Sequence, residues 1–377
     1  MAAAPPKPSR RRFTAIASCC SGAVSIAFFD TTTLWFEGAG GESLGQYGHS
    51  KDYRGHLKQV VLGIVLDDTD RPIASFLMPG NTADVTMLLP VVKRLRERFG
   101  IAQACIVADR GMISADTIAA LEAEKIDYIL GVRERTSREV RAEIIDDDGL
   151  AVPLVIPRQK GETELAVTET TIAGRRYVIC RNEEEAKKDA AARAELVAGL
   201  ERKLAQGDKA LVANKGFRRF LKTPAGDGFV IDRAKIEADA RFDGLFVLRT
   251  NTKISALQVV LRYRNLLAVE DAFKTAKALL ATRPIFHKTD AGIRGHVFCT
   301  FLALVLRKEL MDRLAARRSK LEWQHIIDDL ADLSEIDVEQ DGRRARLRTA
   351  PGPTIDPICR AIGITLPPVF QEMPPAP

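Results

Sequence analysis

One succession constrains this chain more than any other feature. Three strand-like segments come first, then helix, strand, helix, strand, and an aspartate closes both the first and the fourth strand. Val24, Ile26 and Phe28 alternate with smaller residues and lead into Phe29-Asp30, the period-two pattern of a strand. Gln59 to Leu66 is an almost unbroken β-branched and leucine run, which fits a strand covered on both faces. Asp67 to Asp70 with Pro72 make a turn, Ile73 to Met78 return as the third strand, and Pro79-Gly80-Asn81 stop it. From Asp84 to Phe99 the apolar positions Val85, Leu88, Leu89, Val92 and Leu95 share one helical face, and Gly100 ends the run. Cys105 to Ala108 is a short strand ending at Asp109. Ser114 caps a helix to about Lys125, and Ile126 to Val132 is the next strand.

That is the order of a ribonuclease-H-like core, an α/β fold with a mixed sheet and flanking helices. Acidic residues gather there at mid-sheet from the first and fourth strands, the places held by Asp30 and Asp109. The pattern then breaks. Residues 133 to 242 hold strand candidates such as Leu165 to Thr171 and Arg176 to Cys180, and a charged helix from about Glu183 to Ala205. They read as a β-rich insertion domain. Leu245 to Leu248 look like a returning strand, followed by a long helix from about Ala256 to Leu280 and an apolar one from about Ala291 to Ala316. The expected division is a basic tail over 1–20, a first part of the core over 21–132, the insertion over 133–242, and a closing part over 243–320. A C-terminal region over 321–377 follows, loosely ordered from Asp341 because proline, arginine and glycine dominate it.

With 377 residues, 46% of them hydrophobic, the chain can bury a sizeable core. A net charge of +6 favours an anionic partner. The basic residues cluster at Arg10–Arg12, at Lys215 with Arg218 and Arg219, at Arg317, Arg318 and Lys320, and at Arg343–Arg348. None of the six cysteines forms a C-x-x-C pair, so a zinc site has no support. Cys105 and Cys299 sit in apolar runs and read as buried thiols of a reducing, cytoplasmic setting. Ser9 to Phe13 resemble an export signal and Ile16 to Cys19 a lipoprotein box. The short stretch Phe13–Ser18 between them is below the roughly 7–15 apolar residues a signal core needs. Val297 to Leu306 is too short to span a bilayer.

Two-metal phosphodiester cleavage needs hard oxygen ligands, and carboxylates from distant parts of a chain supply them. Asp30, Asp109 and Glu270 are the candidates. Taken singly, Asp30 and Asp109 read more readily as turn formers, and Glu270 as a helix-surface acid. Tyr263, Glu270 and Lys277 are spaced by seven on one helix and share a face, with Phe273 and Lys274 beside it.

The segments FFDTTTLWFEG, GHSKDYRGHLKQVVLGIVLDDTDRPI, MPGNTADVTML, IVADRGMIS, FDGLFVLRTN and YRNLLAVEDAFKTAKALLATRPIFHKTDAGIRGHVFCTFLALVL run in order from about residue 24 to 310. Together they resemble insertion-sequence DDE transposases of the branch with a Tyr-Arg-Glu-Lys signature and a β-rich insertion in the catalytic domain. The resemblance implies that Asp30, Asp109 and Glu270 are catalytic and hold two Mg²⁺ or Mn²⁺ ions. It implies DNA contacts for Tyr263, Lys274, Lys277, Ser50, Lys51 and Arg54. It further implies hydrolysis and strand transfer at transposon ends, DNA as partner, a homodimer when active, and no membrane. Two departures stand out. Leu266 holds the signature's arginine position, with Arg262 and Arg264 nearby. The short region before Asp30 predicts an N-terminally truncated copy. A non-catalytic DNA-binding or inhibitory remnant, a host nuclease of the same fold and an exported lipoprotein are the alternatives.

Overall fold

In the computed structural model, residues 25–99, 105–132, 151–157, 161–205, 219–223, 229–340 and 343–374 are described. The basic tail, its export-like motif, and Lys215 and Arg218 lie outside them.

β1 (Ile26–Trp35), β2 (Gln59–Leu66) and β3 (Pro72–Pro79) form an antiparallel meander. Two helices, α1 (Leu88–Phe99) and α2 (Ala115–Ala123), alternate with β4 (Cys105–Ala108) and β5 (Tyr128–Gly131). β4 runs parallel to β1, and β5 parallel to β4. This is the ribonuclease-H-like order expected from the sequence. Ser114 caps α2 by accepting the Thr117 N–H. Asp84–Thr86 make a separate 3₁₀ turn ahead of α1, so the expected first turn of that helix is wound more tightly.

β6 (Val152–Pro157), β7 (Glu162–Ile172) and β8 (Arg175–Arg181) join the same sheet rather than building a second one. After them come α3 (Glu183–Leu204), the two-stranded ribbon of β9 (Leu221–Lys222) and β10 (Val230–Ile231), and α4 (Arg233–Ala240). The linking strand is β11 (Leu245–Thr250), antiparallel to both β5 and β8. The nine-stranded order is β3-β2-β1-β4-β5-β11-β8-β7-β6.

Side chains alternate across this sheet. Phe28, Leu34, Val60, Leu62, Cys105 and Val107 belong to one core, packed against the helices that follow β11. Phe29, Val61, Val65, Ile106 and Ala108 belong to the other, against α1 and α2. By the same parity Asp30 and Asp109 leave the sheet on the first of these faces.

The single long helix expected after β11 is broken. α5 (Ala256–Arg264) ends, and α6 (Leu267–Lys274) begins after a tight turn. There Leu266 N–H bonds to Tyr263 O and Val269 N–H to Leu266 O, the i to i+3 pattern of a 3₁₀ turn. Leu266 is buried in the core at this break. Thr275–Leu279 then close as a π-helical turn. α7 (Asp290–Ala316) packs along β3 and is capped by Thr289. Cys105 is buried as expected, whereas Cys299 faces outward from α7.

The C-terminal region is more ordered than its composition suggested. α8 (Trp323–Asp332) and α9 (Ile355–Ile362) pack on the end of α7 through Leu314, Ile326, Ile358 and Ala361. β12 (Glu335–Gln340), β13 (Arg343–Arg348) and β14 (Phe370–Met373) form a small sheet. Its register sets Glu335, Asp337 and Glu339 opposite Arg348, Arg346 and Arg344. The arginine run is therefore one half of a cross-strand charge ladder. Among the described residues no helix is long and apolar enough to cross a membrane.

Candidate active site

Asp30 sits at mid-strand in β1, beyond Phe29, which stands opposite Ala108 of β4. Asp109 follows Ala108 directly, so the two carboxylates leave neighbouring parallel strands side by side. The Thr31 N–H donates to Asp30 Oδ1 at 2.6 Å. Burial pushes the Asp30 carboxyl up to about 6, with the charges of Asp109 and Asp84 adding, while Lys51 and the Thr31 N–H oppose.

Asp109 ends β4 in extended backbone and opens a 3₁₀ turn over Arg110–Met112. Its Oδ1 accepts the Tyr263 hydroxyl at 2.9 Å. Burial first, and then the Asp109 charge, push that phenol far above its ordinary value, so the hydroxyl stays a donor. Gly131, at the end of β5, makes room for it: a Cβ there would meet the Tyr263 hydroxyl.

Glu270 lies on α6, across from the sheet. Asp30, Asp109 and Glu270 line one cavity of about 730 Å³, together with Arg110, Tyr263 and Arg264. Its far wall is apolar, with Ile156 and Leu165 from the β6–β7 hairpin and Phe246 and Leu248 from β11. The inserted strands thus close one side of the cavity that the core strands open.

Residues 24–306 match the model of the transposase DDE domain family. This chain belongs to that family. No curated protein matches it. As a transposase it is a member of a DNA-binding, DNA-cutting enzyme class, and its mixed sheet with flanking helices is the fold of that class.

The remaining predicted residues of the transposase separate into groups. Tyr263 and Glu270 reach the cavity, but Lys277, carried round by the π turn, does not line it. Lys277 donates to Asp52 Oδ1 at 2.9 Å, and Arg283 also pairs with Asp52. Burial works against the Asp52 charge, but these two cations outweigh it and hold the carboxyl below its ordinary value. Lys274 pairs with Asp271 at 3.0 Å on the outer surface. Ser50 Oγ accepts the backbone N–H groups of Asp52 and Arg54, and Arg54 stacks over the Trp35 ring at 4.6 Å. Leu266 packs in the core at the cavity edge, and Arg264, two residues earlier, lines the cavity.

Lys51 does something the sequence did not foretell. Its ammonium lies 3.7 Å from Asp30 Oδ1 and 3.2 Å from Asp84 Oδ2. It also donates to Thr31 O at 2.7 Å and Thr31 Oγ1 at 2.8 Å, while Thr31 Oγ1 donates to Asp84 Oδ1 at 2.7 Å. Asp84 is therefore a fourth carboxylate beside the site. It had read as the start of a helix, and its one signal was its place within the family-like segment MPGNTADVTML.

Proposed function

We propose that this transposase performs metal-dependent phosphodiester hydrolysis and strand transfer at insertion-sequence ends. In this reading Asp30, Asp109 and Glu270 are the ligands of two Mg²⁺ or Mn²⁺ ions. The observation that carries the proposal is that these three acids, far apart in sequence, line one cavity.

The donor set fits hard divalent cations. It consists of carboxylates alone, and the crowding of Asp109 and Asp84 around a buried Asp30 is what a cation would relieve. Among the described residues no three His, Cys, Asp or Glu side chains stand close enough to hold one ion. Holding one ion with all three acids would require them to draw closer together around it. When bound, the ions supply an activated water or terminal hydroxyl on one side of the phosphate and stabilise the leaving oxygen on the other.

The chain's own groups do the rest. Tyr263 fixes Asp109 through Oδ1 and leaves Oδ2 for ligation. Lys51 offsets the charge of Asp30 until the site is filled. Arg264 offers a guanidinium to a phosphate oxygen where the signature arginine is replaced by Leu266. The Asp52 ion pairs with Lys277 and Arg283 tie the loop after β1 to the closing helices. Joining two ends in one reaction calls for two copies of the chain, so a homodimer, acting on DNA in the cytoplasm, completes the reading.

The test is incubation of the chain with duplex DNA carrying the terminal sequences of its element, once inverted repeats have been sought in the DNA beside its gene, with Mg²⁺ or Mn²⁺ present. Cut ends followed by joined products, both abolished by Asp109→Ala and by Glu270→Gln, support it. Binding without cutting would identify a non-catalytic remnant, and cutting without joining a nuclease.

A further inference from the structure

The turn that delivers Lys51 to the site holds one residue with no evident structural purpose. Four of its side chains are tied down. Ser50 caps the turn through two backbone N–H groups. Lys51 reaches Asp30, Asp84 and Thr31. Asp52 is clamped by Lys277 and Arg283. Arg54 stacks on Trp35. Tyr53, in the middle, is 98% exposed, and its ring has no side-chain partner among the described residues.

Tyr53 also has φ of 58°. Glycine and asparagine take this left-handed conformation readily, and a bulky aromatic takes it at a cost. The backbone N–H of Tyr53 still closes the turn onto Ser50 O at 3.4 Å. The sequence thus places a large flat ring where packing gains nothing from it and the backbone is strained by it. The anchors on either side run to β1 and to the segment after α6, so the backbone that carries the ring is fixed relative to Asp30. The next residue, Arg54, brings a cation within reach of a phosphate on the same strand.

An exposed aromatic on an anchored turn, next to a cation and beside a phosphodiester-cutting site, has the chemistry of a base-stacking platform. We propose that Tyr53 stacks on an unpaired nucleobase of the DNA at this site and so positions the strand to be cut. This rests on the proposed reading of the cavity as a DNA-cutting site.

The experiment is metal-free binding of the 377-residue chain to a DNA duplex with a single-stranded overhang containing the fluorescent base aminopurine. Metal-free conditions separate stacking from catalysis. Wild type and Tyr53→Phe should bind alike and quench the fluorescence. Tyr53→Ala should bind about tenfold more weakly and lose the quenching. Tyr53→Gly should behave as Ala does toward DNA while melting at a higher temperature than Tyr53→Ala, because it relieves the positive φ. Ala and Gly variants that bind and quench as wild type does would overturn the stacking role while leaving the cavity reading intact. Failure of the wild-type chain to bind the duplex at all would overturn both.

Discussion

The Tyr263 hydroxyl donates to Asp109 Oδ1 at 2.9 Å, across a strand position, Gly131, where any side chain would collide with it. A carboxylate at the end of β4 is thereby fixed by a residue of α5, through a gap that glycine alone leaves open.

The two positions are therefore coupled. Gly131→Ala should destabilise the fold by about 1–3 kcal/mol, as overpacking does. In a Tyr263→Phe background the same change should cost less than half as much, because the hydroxyl it meets has gone. Urea melts of the four proteins in this cycle measure it, and equal costs in both backgrounds would refute the coupling.

The elevated Asp30 pKa predicts a pH dependence. The folded value is raised from 3.8 to about 6, so the native state holds this proton more tightly than the unfolded one. The associated stability is fully present below about 4 and is lost as pH rises through about 6. A metal ion needs the carboxylate, so its binding releases that proton. Mn²⁺ affinity should fall roughly tenfold per pH unit below about 6, and this dependence should flatten in Asp30→Asn. Titration calorimetry at several pH values checks it.

How much of this was legible beforehand depended on range. The runs that became β1, β2 and β4 carry their own periodicity, and Asp109 follows β4 as expected; β1, however, does not close at Asp30 but continues to Trp35, because Thr31–Leu34 are buried and paired with β2. The pairing of β11 between β5 and β8 joins residues far apart in sequence, so nothing local announces that the insertion extends the core sheet. The break in the closing helix was hidden because Leu266 fits a helical apolar stripe; only burial against the core shows that the stripe turns inward there. Asp84 escaped notice because its partners, Thr31 and Lys51, sit on other elements. In the C-terminal region composition misled: of the arginines counted as loose charge, Arg344, Arg346 and Arg348 stand opposite acids on β12, while Arg343 stands opposite Gln340.

Lys51 provides the next expectation. It opposes the rise in the Asp30 pKa, so Lys51→Met should move the Asp30 midpoint further above about 6. Carboxyl-carbon NMR titration reads this directly, and a midpoint that stays put would show that the ammonium does not act on Asp30.

Arg264 and Arg262 separate cleanly. Arg264 lines the cavity and Arg262 does not. Arg264→Ala should lower the DNA cleavage rate about a hundredfold, the scale of losing one charge-stabilising donor. Arg262→Ala should leave it within a few fold. The reverse ranking in a cleavage time course would show that Leu266 has no substitute at this position.

The central claim is that Asp30, Asp109 and Glu270 act as one metal-binding set. Calorimetric Mn²⁺ titration of the folded chain tests it most directly, beside Asp30→Asn, Asp109→Asn and Glu270→Gln variants shown by circular dichroism to be folded. The account predicts two ions bound by the unaltered chain and loss of at least one in each variant. Undiminished binding of both ions by any one variant would contradict it.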